Sequence, residues 1–231
     1  MREIVFDTET TGLDPLQGHR LVEIGCIELL NRIPTGNTFH RYLNPERDMP
    51  AEAFAVHGLS VEFLKTHPTF HLVADEFLDF IGDAPLVAHN GFFDLGFINA
   101  ELGRAQKQLI GRERIIDTLI LARRKHPGGQ NKLDDLCARY RIDNSRRTKH
   151  GALLDAELLA EVYIELIGAR QALLGLSSVS MSVAGASRQA ALRPRPEKLP
   201  SRVADADREA HRAFVATLGE NAIWQKYLPA E

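Results

Sequence analysis

The sequence lacks the features of a membrane protein or of a protein from an oxidising compartment. No stretch approaches the roughly 20 apolar residues of a transmembrane helix. Because Met1-Arg2 leads directly into a strand-like run, we expect no signal peptide. The two cysteines, Cys26 and Cys137, lie in apolar surroundings, and we expect small buried residues rather than a disulfide or a metal site. The expected location is the cytoplasm.

The chain also lacks a strong charge of either sign. Its 28 basic and 31 acidic residues give a formal charge of −3, which argues against broad, non-specific coating of nucleic acid. An enzyme that binds phosphate through divalent cations is still compatible, because such a site needs an acidic cluster with basic side chains only around its rim. Hydrophobic residues make up 44% of the 231 positions, enough for a substantial core.

Strands and helices alternate along residues 1–174. Strand patterns cover residues 3–7, 21–30, 38–43, 86–88 and 114–116. The turn-rich Pro34-Thr35-Gly36-Asn37 predicts a hairpin between the second and third strands. The predicted helices cover residues 51–56, 61–65, 72–81, 94–102, 118–125, 133–140 and 152–167. This order predicts an α/β domain with a mixed β-sheet flanked by helices.

The rest of the chain has a different character. Residues 175–208 are rich in Ser, Ala, Arg and Pro without sustained periodicity, which predicts a flexible linker. Residues 209–231 are apolar again and are interpreted as a short docking helix for a partner, with folding back onto the domain as the alternative. The residues assigned to partner binding are Phe214, Leu218, Trp224 and Tyr227.

Two of three short acidic stretches follow predicted strands. Asp7 and Glu9 end a strand apolar enough to be central, and strand alternation points both side chains to one face. Carboxylates at such a strand end lie in a crevice, although two solvated carboxylates are the ordinary alternative. Asp94, in His89-Asn90-Gly91-Phe92-Phe93-Asp94, opens the helix after residues 86–88, where simple helix capping is the alternative.

The third stretch pairs a histidine with an acid. His150 and Asp155 are five residues apart, which on a continuous helix is about 140° of rotation. They share a site only if His150 stands on the preceding loop, with Gly151 permitting the bend. The alternative is a surface histidine beside its basic neighbours Arg146, Arg147 and Lys149.

The chemistry of these residues points to metal-dependent hydrolysis. Four carboxylates that converge without compensating bases repel one another unless cations neutralise them. Oxygen ligands favour Mg²⁺ or Mn²⁺ over zinc. Two such ions about 4 Å apart polarise a phosphate and activate a bound water, whose proton a neutral histidine accepts near pH 7. We therefore predict phosphodiester hydrolysis with two divalent cations.

The three stretches match the motifs of the DnaQ-like, DEDDh-type 3′–5′ exonucleases. The chain most closely resembles the proofreading members of that family, which serve bacterial replicative DNA polymerases. Further matching stretches are Phe6–Gly12, Glu52–Gly58, Leu136–Tyr140 and His150–Ala156. The resemblance covers residues 2–167 and implies a ribonuclease-H-like fold and removal of mispaired nucleotides from DNA 3′ ends.

The resemblance implies a role for each acidic residue and for the histidine. Asp7, Glu9 and Asp155 are implied to be direct metal ligands that also contact the substrate, with Asp7 bridging the two ions. Asp94 is implied to bind the second ion directly or through water. His150 is implied to be the general base.

The resemblance also implies contacts to substrate and partners. Thr10 would hold the 3′-terminal nucleotide, and Glu52 and His57 would line its pocket, although His57 is alternatively an ordinary helix C-terminal histidine. The docking helix would bind the catalytic (alpha) subunit of the polymerase, and a small theta-like subunit is a further implied partner. Residues 178–183 retain the Ser-Met of a clamp-binding segment but lack its Gln and aromatic residue, which predicts weak or no binding to the sliding clamp.

Two other functions remain open at this point. An RNA-processing exonuclease of the same family would use the same metal chemistry, but such enzymes usually lack a long linker that ends in an apolar segment. A non-catalytic scaffold would usually have lost a metal ligand, whereas here all five motif residues are present.

Overall fold

The computed structural model describes residues 1–169, 203–219 and 223–224. The predicted clamp segment at residues 178–183 and Tyr227 lie outside the described residues. The chain divides into two units, Met1–Gly175 and Leu176–Glu231. In the described ranges, no helix is long and apolar enough to cross a membrane.

The described residues of the first unit form a five-stranded mixed sheet. Its strands are β1 (Arg2–Thr10), β2 (Leu21–Leu30), β3 (Ile33–Tyr42), β4 (Leu86–Ala88) and β5 (Ile115–Asp117). The spatial order is β3-β2-β1-β4-β5. β1 is antiparallel to β2 and parallel to β4, so the two halves of the sheet meet at this central strand. The predicted α/β, ribonuclease-H-like architecture is confirmed.

Helices cover both faces of this sheet. They are α1 (Ala51–His57), α2 (Val61–Leu64), α3 (Phe70–Ile81), α4 (Gly91–Arg104), α5 (Thr118–Lys125), α6 (Leu133–Tyr140) and α7 (Ala152–Leu166). The bounds of α5 and α6 are those predicted from the hydrophobic periodicity. Short 3-10 helices occupy Pro15–Gln17 and Arg112–Arg114.

The alternation of β1 decides which way its acidic residues point. Ile4 and Phe6 belong to the core shared with α3 and α4, whereas Val5 belongs to the core beneath α7. Side chains alternate between the two faces of a strand, so Asp7 and Glu9 lie on the same face as Val5, the face covered by α7. The two cysteines are free and buried, as predicted.

The predicted hairpin turn at residues 34–37 is wrong. The chain reverses at Asn31 and Arg32, both at positive φ (51° and 68°), between the paired residues Leu30 and Ile33. Residues 34–37 instead belong to β3, where the register shifts opposite Glu28. The polar side chains of this stretch bond Glu28 there: Thr35 Oγ1 and Asn37 Nδ2 each donate to Glu28 Oε2 at 2.7 Å.

The boundaries of α4 and β5 also differ from the prediction. α4 begins at Gly91, three residues before Asp94, because Asn90 adopts a left-handed conformation (φ 66°) that turns the chain into the helix. Asp94 therefore lies in the first turn rather than at the start. The last strand is shifted by one residue to Ile115–Asp117, since Arg114 ends the preceding 3-10 helix.

In the second unit the structure describes one helix, α8 (Asp205–Thr217). It begins within the range that the sequence assigns to the linker. Val215 is buried, whereas the predicted docking residues Phe214, Leu218 and Trp224 are exposed by 61%, 47% and 51%. The Trp224 and His211 rings pack edge to face, with a centroid distance of 5.9 Å.

Candidate active site

A cavity of about 910 Å³ lies where the central strand meets β4. All five predicted catalytic residues line it, namely Asp7, Glu9, Asp94, His150 and Asp155. Asp7 and Glu9 lie near the carboxyl end of β1, and Asp94 lies in α4, which follows the carboxyl end of β4. Ends of parallel strands commonly form such crevices in α/β proteins.

Asp7 and Glu9 are carboxyl groups whose ionisation is disfavoured in this cavity. Burial, followed by the charges of Asp94, Glu9 and Asp155, raises the pKa of Asp7 well above its usual range. Burial, followed by Asp155 and Glu23, raises the pKa of Glu9 to about 8. Without added cations, these carboxyl groups therefore keep protons at a pH where a solvated carboxyl group is already ionised.

Asp94 is held in place by a residue of β1. Thr8 points to the opposite side from Asp7 and donates a hydrogen bond from Oγ1 to Asp94 Oδ1 at 2.6 Å. Burial raises the pKa of Asp94 to about 7, and the Thr8 bond offsets part of that rise. The left-handed Asn90 places this acid on the first turn of α4, close to the strand end.

His150 stands on the loop before α7, as predicted, and Asp155 lies in the first turn of α7. The two are close: His150 Nδ1 is 3.3 Å from Asp155 Oδ2. The prediction that Gly151 permits the bend is wrong, because its φ of −158° is extended backbone that any residue adopts. The loop is held instead by a bond from His150 N to Val56 O at 3.3 Å, which ties it to α1.

The donor set fits a hard divalent cation. One atom each from Glu9, His150 and Asp155 lie within 4.8 Å of one another. Asp7 and Asp94 line the same cavity outside this tight group, and burial is the main cause that raises the pKa of both. The nitrogen of His150 in the tight group departs from the oxygen-only set expected from the sequence.

Gly25, which no sequence pattern marks as part of the site, positions the start of α7 and with it Asp155. A Cβ at Gly25 would lie closer than 3.0 Å to the backbone of Ala152 and Leu153, the first turn of α7. β2 and α7 therefore pack with direct backbone contact, and only glycine leaves the room. No local pattern in the sequence marks this contact, because it joins segments more than 120 residues apart.

Replacing Gly25 with alanine is expected to displace the start of α7 and to lower the free energy of unfolding by about 3 kcal/mol or more. Thermal unfolding would show a melting temperature lowered by roughly 6–12 °C. Gly96→Ala is the control, because Gly96 lies exposed in α4 with open space around it. A variant Gly25→Ala that melts like the wild type would contradict this packing.

Arg147 is a basic residue inside the site that the sequence did not identify as part of it. Its Nε and Nη2 donate to the two carboxylate oxygens of Asp155 at 2.6 and 2.7 Å. Its Nη1 donates to Asp134 Oδ2 at 2.7 Å. The expectation that the carboxylates converge without a compensating base is therefore wrong, since a buried guanidinium neutralises part of their charge.

A second cavity of about 580 Å³ adjoins the first and holds the predicted substrate residues Thr10, Glu52 and His57. Thr8, Glu9 and Phe93 line both cavities. Glu52 is exposed at the rim. Thr10 donates from Oγ1 to Gly12 O at 2.6 Å, which holds the loop after β1.

His57 ends α1 and presents an unsatisfied polar atom. Its Nδ1 accepts a hydrogen bond from Leu59 N at 3.0 Å, and burial lowers its pKa, which favours the neutral ring. The other nitrogen, Nε2, then carries the proton and is buried without a hydrogen-bond partner of good geometry among the described residues, although a backbone group of Thr10 interacts with the ring and raises its pKa. A buried donor of this kind is costly unless a ligand satisfies it.

The chain is similar in sequence to known proteins over most of its length. Residues 4–163 match the RNase_T family model, described as exonuclease. DNA polymerase III subunit epsilon of Rickettsia felis is 57% identical over 174 residues, covering 74% of this chain and 76% of that protein. The same subunit of Pasteurella multocida is 38% identical over 248 residues, covering 98% of this chain and 94% of that protein.

The fold is also similar to solved exonuclease structures. The nuclease domain of 3′hExo, a DEDDh family member solved with bound rAMP, superimposes with a TM-score of 0.63 at 18% identity. The superposition covers 73% of this chain and 92% of that one. At this identity the similarity shows the fold alone.

Proposed function

The chain belongs to the exonuclease family that includes the epsilon subunits of DNA polymerase III, and from this premise we propose that it proofreads newly made DNA. It is a 3′–5′ exonuclease. Its proposed substrate is the mispaired 3′ end of a DNA primer. The observation that carries the proposal is the convergence of Asp7, Glu9, Asp94, His150 and Asp155 in one cavity.

The site residues are proposed to hold two divalent cations, Mg²⁺ or Mn²⁺. Asp7, Glu9 and Asp155 would be direct ligands, and Asp94 would support the second ion. When bound, the ions would polarise the scissile phosphate and lower the pKa of a bound water molecule. Such ions also relieve the crowding of buried carboxylates.

His150 is proposed to be the general base. It is half exposed on a loop, so that its ring reaches the cavity where a water would attack the phosphate. A ring nitrogen would take the proton of that water. His150 also has a ring nitrogen within 4.8 Å of carboxylate oxygens of Glu9 and Asp155, so it could instead be a metal ligand. Measuring metal binding by a variant of His150 distinguishes a general base from a ligand.

The second cavity is proposed to hold the 3′-terminal nucleotide. The unsatisfied Nε2–H of His57 is a donor for an oxygen of the substrate, and Thr10 and Glu52 lie on the same wall. Arg123 and Lys132, exposed on the rim of the first cavity, are placed to contact the phosphates of the DNA strand.

The choice between DNA and RNA is tested by competing 3′ ends of the same sequence. We expect a mispaired DNA primer end to be degraded faster than a single-stranded RNA of equal length. Faster hydrolysis of the RNA would favour the alternative, an RNA-processing exonuclease with the same metal chemistry. A folded protein that degrades neither substrate with added Mg²⁺ or Mn²⁺ would favour a non-catalytic scaffold.

The second unit is proposed to bind the catalytic (alpha) subunit of the polymerase. Phe214, Leu218 and Trp224 are large exposed apolar side chains, and such residues supply much of the energy of protein interfaces. The similarity to the Pasteurella multocida protein covers nearly the whole chain. A theta-like subunit and weak binding to the sliding clamp stay predictions from the sequence, and an assembly of this kind places the protein in the cytoplasm.

The double variant Phe214→Ala/Trp224→Ala is expected to weaken binding to the polymerase subunit by roughly 10–100-fold, the usual worth of central apolar residues. Its exonuclease rate on a short primer should equal that of the wild type. Surface plasmon resonance measures the binding, and Leu16→Ala, which removes an exposed leucine from the first unit, is the control. Unchanged binding by the double variant would contradict the assignment.

A further inference from the structure

One side chain, Arg147, holds two groups that the proposed reaction needs. Its guanidinium forms two parallel bonds with the carboxylate of Asp155, at 2.6 and 2.7 Å. The same Nη2 lies 2.8 Å from His150 Nδ1. The Arg147 side chain is only 8% exposed, so its bonds to Asp155 are shielded from water, whereas the His150 side chain is half exposed.

This arrangement engages one ring nitrogen of His150 and both oxygens of Asp155. The guanidinium only donates hydrogen bonds, so Nδ1 of His150 accepts one and its lone pair is occupied. Both oxygens of Asp155 likewise accept hydrogen bonds from Arg147, whose positive charge takes the place that a metal ion would otherwise occupy beside them. Burial lowers the pKa of Arg147, but its bonds to Asp155 and Asp134 raise it more, so the group stays charged.

We propose that Arg147 is a built-in substitute for the metal, which neutralises the site before divalent ions arrive and competes with them for Asp155. This inference rests on the proposed function, since it assumes that Asp155 is a metal ligand. Arg147 acts through Asp155 and His150 and is therefore a positioning residue.

The structure provides a route for the exchange. Nη1 already bonds Asp134 Oδ2 at 2.7 Å, and the Asp134 side chain is 58% exposed at the start of α6 on the same cavity wall. Arg147 lies between α6 and α7, in a stretch without regular secondary structure. When ions occupy the carboxylates, like charges repel the guanidinium, and Asp134 can retain it.

The test measures metal affinity rather than activity. Free Mn²⁺ is followed by electron paramagnetic resonance during titration of the full-length protein and its variants. Arg147→Gln removes the competing cation and is expected to bind Mn²⁺ roughly tenfold more tightly, the usual worth of a charge-assisted bond. Arg147→Lys keeps the charge but loses the two-pronged geometry, and we expect a smaller gain in the same direction.

Arg146→Gln is the matched control, because Arg146 is 75% exposed and contacts only Glu157 among the ion pairs that the structure describes. Its affinity for Mn²⁺ should be unchanged. Weaker or unchanged Mn²⁺ binding by a folded Arg147→Gln would overturn the inference, and if that variant fails to fold, unchanged binding by Arg147→Lys would do so. A wild-type protein that binds no Mn²⁺ would overturn the proposed function itself.

Discussion

Replacing Asp7 with asparagine is expected to lower exonuclease turnover by roughly 10³-fold or more, because bound metal supplies several kcal/mol of transition-state stabilisation. Asp7 is the residue whose pKa is raised by all three other carboxyl groups, Asp94, Glu9 and Asp155. All four carboxyl groups line the same cavity, and the charges of the other three act on Asp7. Single-turnover release of the terminal nucleotide from a mispaired primer measures the loss.

The same substitution should stabilise the metal-free fold. The pKa values of Asp7, Glu9 and Asp94 are raised in the folded protein. As the pH rises, these groups therefore lose their protons at a lower pH in the unfolded chain than in the folded protein, which favours unfolding. Metal-free wild type should therefore lose stability from the ordinary carboxyl range up to a pH of about 8. Asp7→Asn should melt several degrees higher near pH 8, roughly 2–4 °C for each kcal/mol gained.

Asp48→Asn is the control for this pair of measurements, because Asp48 is exposed and away from the cavity. It should change neither turnover nor melting temperature. An Asp7→Asn protein that keeps its turnover would remove Asp7 from the mechanism. A protein that loses both turnover and stability would show that Asp7 supports the fold instead.

Replacing His150 with alanine is expected to lower turnover by roughly 10²–10⁴-fold, the usual contribution of a general base. Affinity for Mn²⁺ should persist, because the carboxylates remain. His71→Ala, a change of an exposed histidine on α3, is the control. Loss of Mn²⁺ binding together with turnover would make His150 a ligand, and loss of folding would make it structural.

Local patterns predicted most of the fold. The strands at residues 21–30 and 86–88 were correctly bounded because apolar runs between turn residues mark buried strands. The hairpin turn was missed for a physical reason. Pro34 and Gly36 are typical turn residues but form an irregular stretch of β3, whereas the turn itself uses Arg32 at positive φ, which few arginines adopt.

The acidic part of the site was also predictable, but its counter-charge was not. Strand alternation puts Asp7 and Glu9 on one face, and the helix patterns place Asp94 and Asp155 near the N-terminal ends of their helices. Arg147 lies in an irregular loop whose path depends on packing against α1 and α7. Because no periodicity describes such a loop, the bonds from Arg147 to Asp155 are visible only in the folded structure.

The most direct test of the metal-dependent exonuclease site is digestion of a 5′-labelled primer with a mispaired 3′ end, with and without a chelator. We expect no cleavage while the chelator holds the divalent cations. Added Mg²⁺ or Mn²⁺ should restore products that shorten by single nucleotides from the 3′ end. Cleavage at an undiminished rate in the chelator, or products cut from the 5′ end, would contradict the site proposed for Asp7, Glu9, Asp94, His150 and Asp155.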